Sequence, residues 1–556
     1  MNTFKKYTFF IMVAFIWQSC KHDSYLDRLP LSSIAEPTFF KNENDLQLYA
    51  NQFYAELPTQ NFIQDNQSDD KVPNNIDPFL AGQYVIPSTD ENYDWTNIRN
   101  ANYFLQRYQN AEASDETKNI YAGEVRLFRA LFYWRLSKRY GDVSWYSKDL
   151  TEESEELYDP RTPRAAVMDS ILLDLNFAVD HIPEDVSTGR LHKYAAAALK
   201  ARICLWEGTR RKYFNEEGSE LYLREAVDAA ELIMNAGRFE LYSSGNPETD
   251  YYELFIQQEL NGNPEAILPR RYLQAILMNN ISRTLGESGT GYSKNFVRSY
   301  LCTDGLPTGL SPLYQGDDTP GEEFANRDPR SFQTIATKGF VLLQNSDGSQ
   351  DIIDLPRIGT NTANTGYQLI KGRSSDPAMW QANQSTLDFF IFRYAEILLI
   401  YAEAKAELGE AVQQDIDASI NLLRARVGMP SMQIATLQRD PNSEFPDLPI
   451  LIDEIRRERR VELADEGFRF DDLLRWKAGK QIEKPETILG MKLTSTLRAQ
   501  YPASQVNGIV VNDDEYVRIY TGIQRRTWED KMYLYPIPLQ EIGLNPNLEQ
   551  NPGWQQ

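Results

Sequence analysis

Two neighbouring stretches of this sequence are rich in alanine at helical spacing, and they constrain the fold more than any other feature. KYAAAALKARICLWEG begins at residue 193, and LREAVDAAELIMNAGRFEL begins at residue 223. Small side chains on facing helices allow close approach, while the Leu and Trp residues between them fill the remaining space. The spacing therefore predicts two helices, at residues 193–213 and 219–236, that pack against each other as a pair.

Helical periodicity extends over much of the remaining chain. It predicts further helices at residues 38–57, 96–110, 116–140, 164–181, 389–410, 415–429 and 449–478. The alanine-rich pair resembles a tetratricopeptide pair, but no clean repeat period is present, so the repeats would be divergent. We predict a mostly α-helical protein, built on tetratricopeptide-like helix pairs and containing few short strands.

Two long stretches lack helical periodicity and have the composition of loops. Residues 58–92 are polar and rich in Asn, Asp and Pro, and residues 241–385 contain runs such as GESGTGYSKNF and TDGLPTGLSPLYQGDDTPG. The run FVLLQ is a candidate short strand. A loop region this long within a compact protein is usually functional. We therefore expect residues 241–385 to be a functional, loop-rich region between two helical regions, 38–240 and 386–556, all in one compact body.

The N-terminus has the pattern of an export signal. Two lysines precede an apolar run at residues 7–17, which is too short to span a bilayer as a helix. The cysteine that follows a small residue at position 20 resembles the lipid-bearing cysteine of a bacterial lipobox; plain secretion and a chance cysteine are the alternatives. We predict a signal peptide at residues 1–19, lipidation of Cys20 and a lipidated tether at residues 20–37.

The charge of the chain bears on its partners. Its formal net charge is −23, and nucleic-acid binding requires a basic surface, so we expect no nucleic-acid partner. No segment after the signal approaches ~20 consecutive apolar residues, so we expect no membrane-spanning helix in the mature chain. Attachment to the membrane would come from the acyl chains on Cys20.

Signals for catalysis or metal binding are weak. The three histidines are His22, His181 and His192, and the chain has neither a His-x-x-x-His nor a Cys-x-x-Cys motif. GESGTG at residues 286–291 lacks the Lys-Ser/Thr of a phosphate-binding loop, so a flexible loop is the simpler interpretation. Adjacent acidic residues arise by chance in a chain with 80 Asp and Glu residues. We predict no catalytic residue, no metal site and no cofactor.

Two cysteines besides Cys20 remain to be explained. Cys204 and Cys302 could form one disulfide, but nothing in the sequence brings them together. Cys204 lies in the apolar run RICLW, which favours a buried free thiol. The sequence leaves the state of Cys302 open.

Aromatic residues in the loops give a better indication of function. The apolar C–H faces of sugar rings stack on aromatic side chains, while sugar hydroxyl groups hydrogen-bond to polar groups. The ligand-binding candidates are Asp69, Asp70, Tyr84, Tyr93 and Trp95 in the first loop region and Tyr292, Tyr314 and Trp380 in the second. Core packing is the alternative for each aromatic candidate.

Six segments spread over most of the chain form a set. They are FRALFYWRLSKRYGDV (128–143), ANRDPRSFQTI (325–335), FRYAEILLIYAEAKAELGE (392–410), INLLRARVGMP (420–430), RRERRVELADEGFRFDDLLRW (456–476) and YPIPLQEIGLNPNLEQNPGW (535–554). In this order they resemble the SusD/RagB family of outer-membrane nutrient-binding lipoproteins of Bacteroidetes. The resemblance implies a helical scaffold with a variable ligand-binding face at residues 241–385, capture of oligosaccharides or polysaccharides at the cell surface, and delivery to a SusC-like TonB-dependent transporter in the outer membrane. It implies no bond-breaking chemistry.

Two other functions stay open at this point. A surface glycoside hydrolase would place one pair of carboxylates across a cleft. A tetratricopeptide-type scaffold would bind a protein or peptide, and its aromatic loops would be dispensable.

The predicted helix at residues 449–478 is strongly charged. Its acidic and basic residues have the spacing of ion pairs within one helix: Asp453 and Glu454 with Arg456 and Arg457, and Arg459 with Glu462. Such pairs are usually architectural, so we interpret them as a ladder that docks this helix rather than as a catalytic cluster.

Overall fold

The computed structural model describes residues 39–59, 64–187, 189–360 and 363–555. The predicted signal peptide (1–19), the predicted lipidation site Cys20 and the predicted tether (20–37) lie outside the described residues. In the part of the chain that is described, no helix combines the length and the apolar character needed to cross a membrane.

Helices form most of the regular structure. The α-helices are α1 (Glu43–Asn51), α2 (Thr96–Arg107), α3 (Asp115–Tyr140), α4 (Arg164–His181), α5 (Lys193–Phe214), α6 (Ser219–Met234), α7 (Asp250–Leu254), α8 (Ile281–Glu287), α9 (Lys294–Arg298), α10 (Pro320–Phe324), α11 (Arg330–Thr334), α12 (Tyr394–Glu407), α13 (Gln413–Asp417), α14 (Ile420–Arg426), α15 (Ile450–Glu462), α16 (Arg469–Arg475), α17 (Ser495–Arg498), α18 (Ala503–Val506) and α19 (Leu539–Leu544). The prediction of a mostly α-helical protein is confirmed.

The strands are short and pair only in twos within the described residues. They are β1 (Lys71–Pro73), β2 (Ala266–Arg270), β3 (Thr290–Tyr292), β4 (Val341–Gln344), β5 (Gln350–Ile352), β6 (Phe389–Arg393), β7 (Leu489–Lys492) and β8 (Tyr516–Arg518). The antiparallel pairs are β1 with β3, β2 with β6, β4 with β5, and β7 with β8. The run FVLLQ contributes β4, as its sequence predicts.

The alanine-rich helices α5 and α6 form the predicted pair. Their alanines, including Ala198 and Ala226, are fully buried. Gly208 lies where the two helices come closest, because a Cβ added there would stand 2.8 Å from the Leu223 side chain and 2.9 Å from its backbone nitrogen. Small residues therefore set the distance between these helices.

Local signals explain where the long helices begin and end. The Ser114 hydroxyl accepts a hydrogen bond from the Thr117 N–H at 3.1 Å and so caps the first turn of α3. Gly141, with φ of 77°, ends the same helix. Asn215 ends α5 in the left-handed conformation. The predicted boundaries of α3, α4 and α5 are accordingly accurate to one residue.

Three C-terminal helix predictions need correction. Residues 389–393 form strand β6 rather than the start of a helix, because the aromatic and β-branched run FFIFR pairs with β2. The predicted helix at 415–429 is two short helices, with a non-helical Ser419 between them. The helix predicted at 449–478 stops at Glu462, and positive φ values at Asp465 and Gly467 turn the chain before α16.

The charges of α15 dock the helix, as predicted, but the ion pairs predicted within the helix are mostly wrong. Only Arg457 and Glu454 pair within the helix, at 3.0 Å. Arg459 instead donates to Asp472 of α16 at 2.8 Å, and Arg456 reaches Glu407 of α12 at 3.3 Å. The charges of α15 therefore connect it to other elements rather than line its own face.

The largest apolar core joins distant parts of the sequence. It extends from Phe40 to Trp554 and includes residues of α3, α4, α5, α6 and α12. A second core lies among residues 281–517 and packs α8, α9 and the strands β3 and β7. The boundaries proposed at residues 240 and 385 stay predictions.

Two details of the sequence acquire a structural explanation. Cys204 and Cys302 are buried free thiols, which confirms the interpretation favoured for Cys204. The glycines of GESGTG belong to packed elements rather than to a flexible loop, because a Cβ at Gly286 would lie 2.3 Å from the Trp380 ring and one at Gly291 would strike Thr365.

Candidate functional site

An open groove runs beside α3, between the chain that follows α1 and the short helix α16. It consists of two adjoining cavities of about 490 and 370 Å³. Both are lined by the same four charged residues, Glu56, Arg135, Lys138 and Asp471. We call the two cavities together the charged groove.

The larger cavity has both apolar and charged walls. Helices α3 and α5 contribute Leu131, Trp134 and Trp206, and the chain before α16 contributes the half-buried Phe468. The charged residues Arg202 and Glu396 stand among these side chains and pair with each other at 2.6 Å. This end of the groove therefore combines apolar faces with several ion pairs, among them Arg393–Glu466 at 2.6 Å and Arg459–Asp472 at 2.8 Å.

The smaller cavity combines aromatic rings with exposed polar groups. Its rings are Phe132, Phe470, Tyr533 and Tyr535, and its polar side chains include Gln67, Glu91, Asn92, Asp94 and Asn97. Phe470 and Tyr533 are half-buried, whereas Asn92 and Asp94 are exposed. Such a mixture of apolar walls and a few polar groups is typical of small-molecule sites.

The junction between the cavities holds half-exposed charges of both signs. Lys138 Nζ lies 2.6 Å from Asp471 Oδ2 and 4.6 Å from the centre of the Trp134 ring. Arg135 donates to the backbone carbonyl of Glu56 at 2.8 Å. A ligand in the groove would meet donors and acceptors side by side, which suits hydroxyl groups because each of them donates and accepts.

A buried ionic cluster supports the floor of the groove. Arg475 donates to Glu403 and to Asp472, and Asp472 also accepts from Arg459. Burial alone would raise the pKa of Asp472, but Arg459 and Arg475 lower it, so the carboxylate stays ionised. Buried networks of paired charges hold side chains in one arrangement.

A third, smaller cavity of about 280 Å³ lies under residues 440–445. Several of its cations already have carboxylate partners: Arg457 contacts Asp440, and Arg460 and Arg469 both contact Glu444. Phe445 is the single aromatic ring in its lining. We therefore regard the charged groove as the better candidate for an organic ligand.

Tyr84, Tyr93 and Trp95 lie beside the groove, not inside it. Tyr93 lies 5.7 Å from Trp95, and Tyr84 lies 5.8 Å from the groove residue Tyr535, measured between ring centres. Tyr93 is buried, while Tyr84 and Trp95 are half-buried. Their polar neighbours Glu91, Asn92 and Asp94 line the groove.

Asp69 and Asp70 are buried and already have partners. Asp69 accepts two hydrogen bonds from Arg469, each at 2.7 Å, and Asp70 accepts one from Arg460 at 2.7 Å. Burial would raise the pKa of Asp69, but Arg469 and Arg460 lower it. Burial raises the pKa of Asp70 to about 6 against the opposing effect of Arg460 and Arg469. Neither carboxylate is available to a surface ligand, so the prediction that they bind one is wrong for this conformation.

The second group of candidates is dispersed. Tyr292 is fully buried, and its hydroxyl donates to Asp465, so its predicted ligand contact is also wrong for this conformation. Tyr314 is half-buried near Arg327, whose guanidinium lies 5.5 Å from the ring centre. Trp380 is half-buried and stacks on Arg373 at 4.4 Å. Among the described residues no ring contact joins Tyr314 to Trp380.

Sequence reasoning missed the residues at the centre of the groove. Arg135 and Lys138 lie in FRALFYWRLSKRYGDV, and Asp471 lies in RRERRVELADEGFRFDDLLRW. Both segments contribute to the family resemblance. The first favours interpretation as scaffold because its apolar residues dominate, and the second because its many charges have the spacing of ion pairs within one helix. The available signal was the presence of basic residues within an otherwise apolar helix.

Comparison with known proteins identifies the family. The model described as "SusD family" matches residues 265–554, more than half of the chain. The chain belongs to the SusD family. A second family model, described as "Starch-binding associating with outer membrane", matches residues 24–205 of this SusD-family chain.

Curated relatives of the protein extend over most of its length. It is 25% identical to SusD-like protein P2 of Formosa agariphila over 521 residues, which cover 86% of this chain and 92% of that protein. It is 24% identical to the starch-binding protein SusD of Bacteroides thetaiotaomicron, covering 92% of this chain and 87% of that protein.

Solved structures agree with this assignment. A SusD-like protein from Bacteroides fragilis is 26% identical and superposes with a TM-score of 0.72, covering 95% of this chain and 100% of that chain. A SusD-like carbohydrate binding protein from the same species has a TM-score of 0.72 at 23% identity, covering 92% of this chain and 100% of that one, and this likeness shows the fold alone. In the described residues of this SusD-family protein, no cluster of three or more His, Cys, Asp or Glu side chains has the arrangement of a metal site.

Proposed function

We propose that this protein binds glycans and that the charged groove is a principal part of the binding site. The observation that carries the proposal is the junction around Lys138 and Asp471, where an ion pair 2.6 Å long lies next to aromatic walls in a SusD-family protein. A sugar would stack a C–H face on a ring such as Phe470 and exchange hydrogen bonds with Arg135, Lys138 and Asp471.

The affinity should be weak to moderate, because a capture protein must release its cargo. We expect dissociation constants of roughly micromolar to millimolar, equivalent to about −8 to −4 kcal/mol. A few aromatic contacts at about 0.5–1.5 kcal/mol each, together with hydrogen bonds, are sufficient for this range. The half-buried Tyr84, Trp95, Tyr314 and Trp380 would provide additional contacts for a long chain.

We further propose that Cys20 carries the lipid that holds the protein on the outer surface of the outer membrane. The protein would pass its ligand to a SusC-like TonB-dependent transporter. The family description that includes association with the outer membrane supports this role, as does the lipobox-like sequence at Cys20. The bound glycan would leave chemically unchanged.

The charges of the groove support binding rather than hydrolysis. A general acid for glycoside cleavage needs a raised pKa and access to the scissile bond. Burial raises the pKa of Asp65 to about 7, but this carboxyl group is only 1% exposed and lies behind the surface. Asp471, which does line the groove, is paired with Lys138.

Native gels that each contain one polysaccharide from a broad panel test the proposal. Retardation in one gel would identify the glycan class, and chromatography of that glycan after long incubation would reveal any cleavage. The Lys138→Ala/Asp471→Ala double variant removes both partners of the junction, and Lys338→Ala/Asp354→Ala removes an exposed pair, 80% and 82% accessible, as a matched control.

The proposal predicts that only the first double variant loses retardation. Normal retardation of that variant would show that the groove is not the site. Release of shorter oligosaccharides by the wild-type protein would show that the protein is an enzyme.

A further inference from the structure

Arg373 is a buried cation without an acidic partner. It is 2% exposed, and its Nε and Nη1 atoms are enclosed without a hydrogen-bond partner in the described residues. Other buried arginines have acceptors for their guanidinium groups: Arg330 contacts Asp328 at 2.7 Å and Arg393 contacts Glu265 at 2.8 Å, whereas Arg526 donates to the backbone carbonyls of Ser68 and Lys71. Burial of an unpaired guanidinium is strongly unfavourable, so this exception requires an explanation.

The surroundings of Arg373 provide an aromatic platform. Its guanidinium carbon lies 4.4 Å from the centre of the Trp380 ring, and the Trp380 Nε1–H donates to the Ser374 carbonyl at 2.8 Å. Gly286 leaves room for this ring, because a Cβ there would lie 2.3 Å from it. Trp380 is therefore fixed in place, and its half-exposed indole remains accessible to a ligand.

A second arginine adds to the positive charge. Burial is the main cause that lowers the pKa of Arg373 to about 10, and Arg357 lowers it further. Arg357 is half-exposed and pairs with Asp351 at 2.7 Å. Arg373 thus has a second guanidinium group as a neighbour but no carboxylate within ion-pair distance among the described residues, in a chain whose net charge is −23.

We propose that Arg373, Arg357 and Trp380 form a subsite for an anionic group on a glycan, either a carboxylate or a sulfate. This inference rests on the proposed glycan binding and specifies that the glycan carries a negative charge. The planar guanidinium matches the two-oxygen edge of either anion, and burial strengthens the resulting charge-assisted hydrogen bonds. The indole of Trp380 supports the sugar ring that bears the anion.

Matched pairs of glycans that differ only in charge provide the test. Affinity gels measure how strongly the full-length protein, in detergent, binds each member of two pairs. One pair is dextran sulfate and dextran, and the other is polygalacturonate and its methyl ester. Equilibrium dialysis with radiolabelled inorganic sulfate measures the anion without any sugar. The variants are Arg373→Gln, Arg373→Lys and Arg283→Gln; Arg283 is a half-exposed arginine paired with Glu287 within its own helix and serves as the control.

We expect at least one charged glycan to bind about tenfold or more tightly than its neutral partner. Arg373→Gln should abolish that ratio, Arg373→Lys should reduce it, and Arg283→Gln should leave it unchanged. Binding of free sulfate that Arg373→Gln removes would also support the subsite, and the glycan pairs would then show whether the anion is borne by a sugar. Arg373→Gln should unfold at the same or a higher urea concentration than wild type, because it removes an unpaired buried charge.

Equal binding of charged and neutral glycans together with no sulfate binding would overturn the inference, as would a charge preference that Arg373→Gln retains. A neutral glycan that binds through the charged groove would leave the proposed function intact in that case. The two proposals can therefore fail separately.

Discussion

Glu462 of α15 accepts two hydrogen bonds from Arg426 of α14, at 2.7 Å to each carboxylate oxygen. The same carboxylate accepts from Arg393 at 2.8 Å and from Arg330 at 3.1 Å. All four side chains are at most 1% exposed. Burial would raise the pKa of Glu462, but the three arginines lower it, so one carboxylate joins cations from three separate segments.

Replacement of Glu462 by Gln should destabilise the protein severely. In the variant, Glu265 and Glu466 are the carboxylates that still pair with Arg426 and Arg393, and the site is closed to water. Removal of one member of a buried ionic cluster typically costs about 3–5 kcal/mol. Urea unfolding followed by tryptophan fluorescence would measure the loss, and Glu220→Gln, in an exposed pair with Arg224, should change stability by less than about 0.5 kcal/mol. Similar losses in the two variants would contradict this account.

Gly208→Ala should destabilise the helix pair α5–α6 even though alanine favours helices. The new Cβ would stand 2.9 Å from the backbone nitrogen of Leu223, so the helices must separate. Overpacking of this kind costs about 1–3 kcal/mol. Gly543→Ala in α19 is the control, because nothing lies within 4 Å of that Cβ, and it should be neutral or stabilise by up to about 1 kcal/mol. The urea midpoint should therefore fall for Gly208→Ala and stay unchanged or rise for Gly543→Ala.

Asp65 should make the stability of the protein fall as the pH rises. Burial raises its pKa from 3.8 to about 7 in the folded protein. Between about pH 4 and 7 the folded state therefore holds a proton that the unfolded chain releases, so the free energy of unfolding decreases by up to about 1.4 kcal/mol per pH unit.

Asp65→Asn mimics the protonated acid and removes this dependence. Relative to wild type, the variant should gain about 2 kcal/mol between pH 5.5 and pH 8.0. Urea unfolding of both proteins at each pH would measure the gain, with the exposed Asp354→Asn as the control. A constant difference between Asp65→Asn and wild type at the two pH values would contradict a raised pKa for Asp65.

The aromatic wall of the charged groove should contribute measurably to glycan affinity. Phe470→Ala removes a half-buried ring from the smaller cavity, and we expect the dissociation constant to rise about three- to tenfold, equivalent to about 0.7–1.4 kcal/mol. Isothermal titration with the glycan found in the gel panel would measure it. Tyr158→Ala removes an aromatic residue that is 54% exposed outside the groove and should leave affinity unchanged.

Cys20→Ser should release the protein from the membrane. Loss of the acyl chains removes the anchor, and the net charge of −23 gives the body no attraction to an anionic surface. Fractionation after a wash with high salt would show the variant in the soluble fraction and the wild type with the membranes. Retention of Cys20→Ser in cells that lack the partner transporter would show that another feature anchors the protein.

The sequence determined those parts of the structure that depend on neighbouring residues. The cap at Ser114, the end of α3 at Gly141 and the small residues of α5 and α6 act over a few positions, so periodicity and end signals located these helices. The loop composition of residues 58–92 and the run FVLLQ were informative for the same reason. The resemblance of six segments to one family was also a property of the sequence alone.

The tertiary structure decided which polar and aromatic residues reach the surface. Asp69 and Tyr292 lie among turn-forming residues and read as exposed, but Arg469 and Asp465, far away in the sequence, pair with them in the interior. The charged groove combines side chains from α3, α5, α16 and two loops, and no local pattern specifies that meeting. Local spacing determines the helices, whereas burial and charge pairing depend on contacts between distant segments, which form only when the chain folds.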